Sequence, residues 1–255
     1  MNLINRIIIK GLRNLGYDLI KYDKHKKYYP PDFNEKDIKI LKKVMPFTMT
    51  SQERIFSLLR AVEYIQNFKI PGDIVECGVW KGGSMMAIAE ALKTNNQMTR
   101  ALYLFDTFEG MPEPKEKDQS VFGMNALEEF DKTKNLFTGG SQLYYASLDE
   151  VKNNIKNVGY NNDKIHYIKG KVEETIPANA PESIALLRLD TDWYDSTKHE
   201  LIYLFPKLMK GGVLIIDDYG HWDGARKAVD EYFKENKIQI LLNIIDYTGR
   251  IGIKL

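Results

Sequence analysis

Apolar residues in the second half of the chain form continuous runs that stop abruptly at acidic residues. Two of these runs occupy residues 184–189 and 213–216. Runs of this kind are typical of strands that are buried on both faces, as in a parallel sheet. The intervening residues 196–209 have room for a crossover helix, so the two strands are predicted to be parallel and close together. Four carboxylates follow the runs directly, Asp190 and Asp192 after the first and Asp217 and Asp218 after the second.

These four carboxylates are expected to meet at one crevice, because ligands of open α/β sheets bind at the carboxyl ends of the strands. Like charges at close range repel, raise each other's pKa and cost stability unless a cation lies among them. A set of hard oxygen ligands without soft ones suits Mg²⁺, with Mn²⁺ or Ca²⁺ as substitutes. The pattern therefore predicts a divalent metal site, without deciding which carboxylates are ligands.

An earlier part of the chain has the pattern of a cofactor-binding unit. A short apolar strand at residues 74–75 leads into the glycine-rich stretch 76–83, and a helical run at 84–92 follows. Glycines let the backbone approach a ligand, and the start of a helix offers free N–H groups and a positive dipole end. The spacing matches neither the dinucleotide fingerprint G-x-G-x-x-G nor a Walker motif.

Asp106 ends the next predicted strand, at residues 101–105. An acidic residue about 20 or more positions after the glycines can accept hydrogen bonds from both ribose hydroxyls of a cofactor. The glycine-rich stretch and Asp106 together indicate an adenosine-containing cofactor. The alternative is that Asp106 only caps a turn or a helix.

The N-terminal part of the chain shows helical periodicity. Residues 1–22 form a basic amphipathic pattern, which either packs on the domain or on a second subunit, or lies on a membrane surface. A polar linker with two prolines follows, and two further helical patterns come after it. We therefore expect an N-terminal helical extension at residues 1–69, acting as a lid or in dimerisation, and a cofactor-binding catalytic domain at residues 70–255.

Residues 111–141 are polar and broken by prolines and glycines, as expected for a lid over the active site. A helix is predicted at 147–158, a strand at 164–168 and a helix at 224–236, and two strands joined near Gly249 close the chain as a hairpin. The fold prediction is α/β, with a mostly parallel, seven-stranded Rossmann-like sheet flanked by helices and closed by an antiparallel C-terminal hairpin. Rossmann-like methyltransferases that use S-adenosylmethionine have such a hairpin, and ordinary dehydrogenase domains lack it.

Composition narrows the classes of function. The 255 residues suit one α/β domain with additions, and a formal net charge of +1 gives no reason to expect a nucleic acid partner. The single cysteine, Cys77, excludes an internal disulfide framework and a cysteine-rich metal site. The apolar stretch at the N-terminus is too short for a signal peptide or a membrane-spanning helix. We therefore expect a cytoplasmic protein without membrane insertion.

Four stretches resemble, in order and spacing, the macrocin O-methyltransferase family: GDIVECGVWKGGS, LYLFDTFEGMP, LRLDTDWYDST and GGVLIIDDYG. The resemblance extends roughly from Phe47 to the C-terminus. Members of that family are metal-dependent enzymes that methylate sugar hydroxyls. The resemblance implies a class I methyltransferase fold, S-adenosylmethionine as the methyl donor and Mg²⁺ as the metal. It also implies that Asp190, Asp217 and Asp218 are metal ligands and that Asp192 is the general base.

The expected site contains further residues. The candidates for cofactor binding are Thr50, Ser51, Glu76, Cys77, Gly78, Val79, Gly82, Gly83, Ser84, Asp106, Thr107, Phe108, Gly170, Val172 and Asp190. For Thr50 and Ser51 the alternative is a helix cap alone. His221 is a second catalytic candidate, with an ordinary loop position as the alternative. Trp193, Tyr194 and Trp222 either stack on a sugar or pack against the sheet. Arg188 is an isolated charge in an apolar strand, so we expect it to neutralise one of the clustered carboxylates.

Two questions stay open at the level of the sequence. The acceptor is a sugar of a nucleotide, of a capsule or lipopolysaccharide, or of an antibiotic glycoside, and the Lys-, Asn- and Ile-rich composition makes polysaccharide biosynthesis a reasonable setting. The stretch Asp190–Asp192 also matches the D-x-D motif of a metal-dependent glycosyltransferase, which is the alternative function.

The apolar N-terminal helices favour a homodimer.

Overall fold

Seven strands form one sheet in the computed structural model, which describes residues 3–16, 29–94, 98–134, 141 and 144–255. The strands are β1 (Asp73–Cys77), β2 (Leu102–Asp106), β3 (Ile165–Lys169), β4 (Ile184–Leu189), β5 (Leu208–Ile216), β6 (Asn243–Ile244) and β7 (Arg250–Ile253). Their order is β3-β2-β1-β4-β5-β7-β6. The strands β1 to β5 run parallel, and β6 and β7 are antiparallel. The predicted α/β class, the mostly parallel seven-stranded sheet and the C-terminal hairpin are thus confirmed.

The described residues form the helices α1 (Leu3–Asn14), α2 (Glu35–Val44), α3 (Gln52–Asn67), α4 (Gly83–Thr94), α5 (Ala126–Thr133), α6 (Leu148–Lys156), α7 (Val172–Thr175), α8 (Tyr194–Leu204) and α9 (Asp223–Glu235). Because side chains alternate along a strand, Val75 and Leu187 enter the apolar core formed with α8 and α9. Their neighbours Glu76 and Arg188 point to the opposite face, where α3 packs against β4 and β5.

The crossover between β4 and β5 is shorter than predicted. The helix α8 ends at Leu204, and Pro206 lies in a 3₁₀ turn at Phe205–Lys207. Proline has no N–H for an α-helical hydrogen bond, so the helix cannot continue through it. Strand β5 accordingly begins at Leu208 and includes the Gly211–Gly212 pair, which the sequence pattern placed outside the strand.

Two compact units divide the chain, Met1–Asn34 and Glu35–Leu255. In the first unit, α1 confirms the N-terminal part of the predicted amphipathic helix, and Ile8 on this helix and Leu15 directly after it are exposed. Residues 21–28 of the predicted linker lie outside the described residues. The second unit starts at Glu35, and within it α2 and α3 pack on α4 beside the sheet. Among the described residues, no helix is long and apolar enough to span a membrane.

Gly78 determines how closely β1 and β4 approach at their carboxyl ends. Its φ is +81°, and a Cβ at this position would lie 1.8 Å from the main-chain oxygen of Asp190. The same strand ends are joined by a hydrogen bond from the Asp190 N–H to the Cys77 carbonyl at 2.8 Å. The position therefore requires glycine for the packing of two chain segments, in addition to any ligand.

We expect Gly78→Ala to lower the free energy of unfolding by more than about 3 kcal/mol, since the new methyl group would force the two strand ends apart. Gly123→Ala is a matched control, because Gly123 has a similar φ of +77° and open space around its Cα. The control should lower the free energy of unfolding by only about 1 kcal/mol, because an alanine in the left-handed backbone region is strained. Urea unfolding followed by circular dichroism measures both values, and equal losses would contradict the packing argument.

Candidate functional site

The carboxyl ends of β1, β2, β4 and β5 open onto a crevice of about 1280 Å³, including its open mouth. Nine of the predicted cofactor-binding residues line it: Thr50, Gly78, Val79, Ser84, Asp106, Thr107, Gly170, Val172 and Asp190. All four predicted carboxylates and His221 line it as well. The structure therefore brings the early glycine-rich stretch and the late acidic residues to one place.

Six predicted cofactor-binding residues lie outside the lining of the crevice: Ser51, Glu76, Cys77, Gly82, Gly83 and Phe108. Ser51 caps α3 by accepting a hydrogen bond from the Arg54 N–H, as the capping alternative predicted. Cys77 is buried in the apolar core, and burial raises the pKa of its thiol. Gly83 begins α4 where a Cβ would lie 2.5 Å from the Phe47 carbonyl oxygen, so its small size serves packing.

Asp106 ties the glycine-rich loop to the end of β2. Its carboxylate accepts hydrogen bonds from the N–H groups of Val79 at 2.6 Å, Trp80 at 3.1 Å and Phe108 at 2.7 Å. Burial raises the pKa of Asp106, and these donors oppose that shift. The turn-capping alternative thus describes a real role of Asp106, and its contact with ribose hydroxyls stays a prediction.

The acidic cluster consists of Asp190, Asp217 and Asp218. One carboxylate oxygen from each lies within 4.8 Å of the others, an arrangement that could hold a metal ion. The donors are hard oxygens, as Mg²⁺ requires. Burial and the neighbouring carboxylates raise the pKa of Asp190 and Asp218, against the opposing charge of Arg188. The residues present therefore fit a divalent cation, and the unfavourable burial of their charges gives such a cation a physical role.

Arg188 is the internal partner of this cluster. Its guanidinium lies 2.5 Å from Glu76, 2.7 Å from Asp190 and 2.7 Å from Asp217, measured between nitrogen and carboxylate oxygen. The sequence led us to expect one carboxylate partner, and the structure provides three. Glu76, predicted to touch the cofactor, is instead buried against Arg188, because the parallel register of β1 and β4 pairs the two residues and puts their side chains on the same face of the sheet.

Asp192 lies beside the cluster in a strained backbone conformation. Its φ is +63°, in the left-handed region that non-glycine residues seldom adopt. The Asp192 N–H donates to the Asp218 carboxylate at 3.3 Å, and burial raises the pKa of Asp192 to about 7. Trp80 and Phe108 are also left-handed, at the ends of β1 and β2. Such outliers cluster at functional sites, where the surrounding structure fixes them.

An aromatic rim, defined here as Phe122, Tyr144, His221 and Tyr247, borders the acidic side of the crevice. The Tyr247 hydroxyl lies 3.2 Å from His221 Nδ1, and the Phe122 ring lies 5.9 Å from that of His221. Burial and the charge of Arg54 lower the pKa of His221. Phe122, Tyr144 and Tyr247 are exposed at the mouth. Sequence reasoning missed these three residues, because a loop aromatic carries no signal of its position.

The predicted lid segment, residues 111–141, contributes Phe122 to this rim. Trp193 donates its indole N–H to the Pro112 carbonyl at 3.0 Å, and the Tyr194 N–H donates to the buried Asp118 at 2.8 Å. Trp193 and Tyr194 therefore anchor the segment, whereas Trp222 lines the crevice. Helix α5 lies within the segment, which the sequence did not predict, and residues 135–140 lie outside the described part of the chain.

Thr50 offers the crevice an unused polar atom. Its side chain is buried, and its hydroxyl has no hydrogen-bond partner among the described residues. Buried polar groups are nearly always paired in folded proteins. The Thr50 hydroxyl is therefore suited to a ligand bound between the start of α3 and the glycine-rich loop.

The family model described as macrocin O-methyltransferase matches residues 10–251. A rhamnosyl-tetracenomycin-C 4′-O-methyltransferase from Streptomyces olivaceus is 33% identical over 202 residues, which are 79% of this chain and 73% of the relative. The mycinamicin III 3″-O-methyltransferase of Micromonospora griseorubida is 31% identical, covering 79% of this chain and 76% of the relative. The structure of the O-methyltransferase NovP superposes with a TM-score of 0.71 at 28% identity and covers 82% of each chain.

Without metal, the protein is expected to lose stability as the pH rises from about 4.5 to about 7. Burial raises the pKa of both Glu76 and Asp192 to about 7, so the folded protein holds protons that the unfolded chain has released. Their stabilising contribution is complete below the unfolded pKa values and disappears as the pH passes the folded ones. Thermal unfolding in EDTA across this range measures the effect.

The double variant Glu76→Gln, Asp192→Asn is the control, since its amides do not titrate and its melting temperature should vary less over the same range. Added Mg²⁺ should raise the melting temperature of the unaltered protein most at the highest pH, where the carboxylates are ionised. A melting temperature in EDTA that depends on pH equally in both proteins would contradict the assignment.

Proposed function

The chain belongs to the macrocin O-methyltransferase family and is an O-methyltransferase, and from this premise we propose that it transfers a methyl group from S-adenosylmethionine to a sugar hydroxyl with the help of Mg²⁺. The observation that carries the proposal is the crevice itself. It joins a glycine-rich loop at the end of β1 to three carboxylates that could hold one cation, with a fourth, Asp192, beside them. A methyl donor on one side and an activated hydroxyl on the other require such an arrangement.

The glycine-rich side supports the cofactor part of the proposal. Gly78 and Val79 line the crevice, and the Asp106 carboxylate holds this loop by accepting hydrogen bonds from the N–H groups of Val79 and Trp80. We propose that this loop, Asp106 and the unpaired Thr50 hydroxyl contact S-adenosylmethionine. Methyl transfer from a sulfonium needs an in-line approach, so a rigid loop contributes to the rate by positioning.

The acidic side supports the catalytic part. A sugar hydroxyl is a weak nucleophile because its pKa lies far above 7, and a bound Mg²⁺ would lower that pKa. Asp190, Asp217 and Asp218 would hold the ion. Asp192 then accepts the proton of the hydroxyl while the hydroxyl oxygen forms a bond to the methyl carbon and the carbon–sulfur bond breaks. A pKa of about 7 lets Asp192 be ionised before the reaction and protonated after it.

The glycosyltransferase alternative has no support among the matched proteins, which are O-methyltransferases. A D-x-D site would use Asp190 and Asp192 as a pair on a nucleotide diphosphate. Instead, the residues suited to one ion are Asp190, Asp217 and Asp218, and Asp192 is not among them.

The aromatic rim supports an acceptor that presents an apolar face beside the reacting hydroxyl. Sugars and apolar aglycones both stack on exposed rings, and the rim residues border Asp192 and Asp218, whose charges act on Tyr144. The relatives methylate a rhamnosyl tetracenomycin and mycinamicin III, by their names. We propose a sugar-containing small molecule of this kind as the acceptor. The homodimer, the cytoplasmic location and the link to polysaccharide biosynthesis stay predictions from the sequence.

Asp192→Asn should lower kcat by roughly 10²- to 10⁴-fold, because an amide cannot accept the proton. Calorimetric titrations should show that this variant still binds S-adenosylmethionine and Mg²⁺. Asp195→Asn is a matched control three positions away, since Asp195 is paired with Lys115 and Lys117 outside the crevice. Its activity should equal that of the unaltered enzyme.

Two results would contradict this proposal. Near-full activity of Asp192→Asn would remove the base from its assigned role. Calorimetric binding of a nucleotide diphosphate with Mg²⁺, together with no binding of S-adenosylmethionine, would contradict methyl transfer altogether. Mass spectrometry of products from a pool of nucleotide sugars and glycosides identifies the acceptor by its added methyl group.

Phe122→Ala should raise the KM for that acceptor roughly tenfold and leave kcat and S-adenosylmethionine affinity unchanged, because only a stacking surface is lost. Phe68→Ala is the control, since Phe68 is 68% exposed against 69% for Phe122 but lies at the far end of α3. Steady-state kinetics at saturating cofactor measures both variants. An unchanged KM for Phe122→Ala would show that the acceptor does not use the rim.

A further inference from the structure

A second arginine enters the acidic cluster from the helical side. Arg54 lies in the first turn of α3, and its guanidinium pairs with Asp217 Oδ2. Its Nε lies 3.0 Å from Asp246 Oδ2. The side chain is only 15% exposed, so these pairs form away from bulk water and are screened little. The sequence pattern carries no signal for Arg54, because this residue occupies an ordinary position of an amphipathic helix.

Both carboxylate oxygens of Asp217 have a cationic neighbour. Arg188 lies 2.7 Å from Oδ1, on the strand side, and Arg54 pairs with Oδ2. Arg188 is buried within β4 and also contacts Glu76 and Asp190, which fix its position. Arg54 is the partner that can leave, since it reaches Asp217 from a helix and borders the crevice.

Asp246 is positioned to hold Arg54 when the contact between Arg54 and Asp217 is lost. Its Oδ1 accepts hydrogen bonds from the N–H groups of Thr248 at 3.0 Å and Gly249 at 2.7 Å. Its Oδ2 accepts one from the Ser51 hydroxyl at 2.6 Å. A carboxylate fixed by three donors holds a guanidinium without rearranging.

We propose that Arg54 is a resident counter-cation of the active site, which neutralises Asp217 when no metal is bound and is left to Asp246 when a divalent cation takes its place. The proposal rests on the metal site of the proposed function. It makes Arg54 a positioning residue that sets the affinity for the cation. The turn that contains Asp246 also carries Tyr247 of the aromatic rim. The hydroxyl of Thr248 in the same turn donates a hydrogen bond to the Asp217 carbonyl. One turn therefore links the proposed metal site to the aromatic rim.

The test is a thermodynamic cycle for Mg²⁺ binding, measured by calorimetry on the full chain without S-adenosylmethionine. Arg54→Gln should bind Mg²⁺ about tenfold more tightly, because no guanidinium competes for Asp217. Asp246→Asn should bind it several-fold more weakly, roughly three- to tenfold, because Arg54 then has no other carboxylate to occupy. In the double variant, Asp246→Asn should have almost no effect on the affinity.

Arg60→Gln is the matched control on the same helix. Arg60 pairs with Asp37 and Glu63, away from the crevice, and its loss should leave the Mg²⁺ affinity unchanged. A measurement without any variant covers the case in which Arg54→Gln does not fold. Arginine-selective ¹⁵N NMR of the unaltered protein should show that added Mg²⁺ shifts the Arg54 guanidinium signals, and unshifted signals would overturn the proposal.

The remaining outcomes separate this proposal from the proposed function. If Asp246→Asn weakened Mg²⁺ binding to the same extent with and without Arg54, the effect would be a general one of charge. This result would overturn the exchange. Weaker binding of Mg²⁺ to the Arg54→Gln variant would also overturn the exchange. If the unaltered protein bound S-adenosylmethionine but no Mg²⁺, the metal site itself would fail and the exchange with it, whereas bound Mg²⁺ with an additive cycle would reject only the exchange.

Discussion

The contact of Arg188 with Glu76, Asp190 and Asp217 is the interaction on which the site depends. A lone arginine inside a parallel sheet would cost several kcal/mol, and so would each buried carboxylate. Together they are tolerated, since the guanidinium has donors enough for three partners and is charged at every relevant pH. The pairs also span β1, β4 and β5, so the charged residues hold in register the strand ends from which the crevice is built.

The two sides of the crevice are made in different ways. The glycine-rich side consists largely of backbone, held by Asp106 and by the close approach that Gly78 permits. The acidic side consists of side chains, and its carboxylates outnumber the arginines beside them. Because carboxylates outnumber arginines there, the cluster is suited to a cation, and the paired arginines offset part of the repulsion among the carboxylates.

Segments outside the sheet form part of the mouth of the crevice. The segment after β2 is anchored through Asp118 and Trp193 to the start of α8, and the C-terminal turn brings Tyr247 to His221. These contacts join regions far apart in the chain at one mouth. Loops of this kind vary without disturbing the sheet, so the same catalytic centre can serve different acceptors.

Apart from the start of β5, the sequence by itself determined the strands, their mostly parallel arrangement and the four acidic residues at their ends, because apolar runs, glycine turns and charges are local signals. It also determined the family, through four motifs in fixed order. Only the tertiary structure decided that Glu76 faces Arg188, that Arg54 reaches Asp217, and that Phe122 and Tyr247 meet at the rim. Each of these depends on the direction of a side chain or the path of a loop across long separations in the chain. Such contacts follow from the packing of the whole fold and leave no periodic pattern in the sequence.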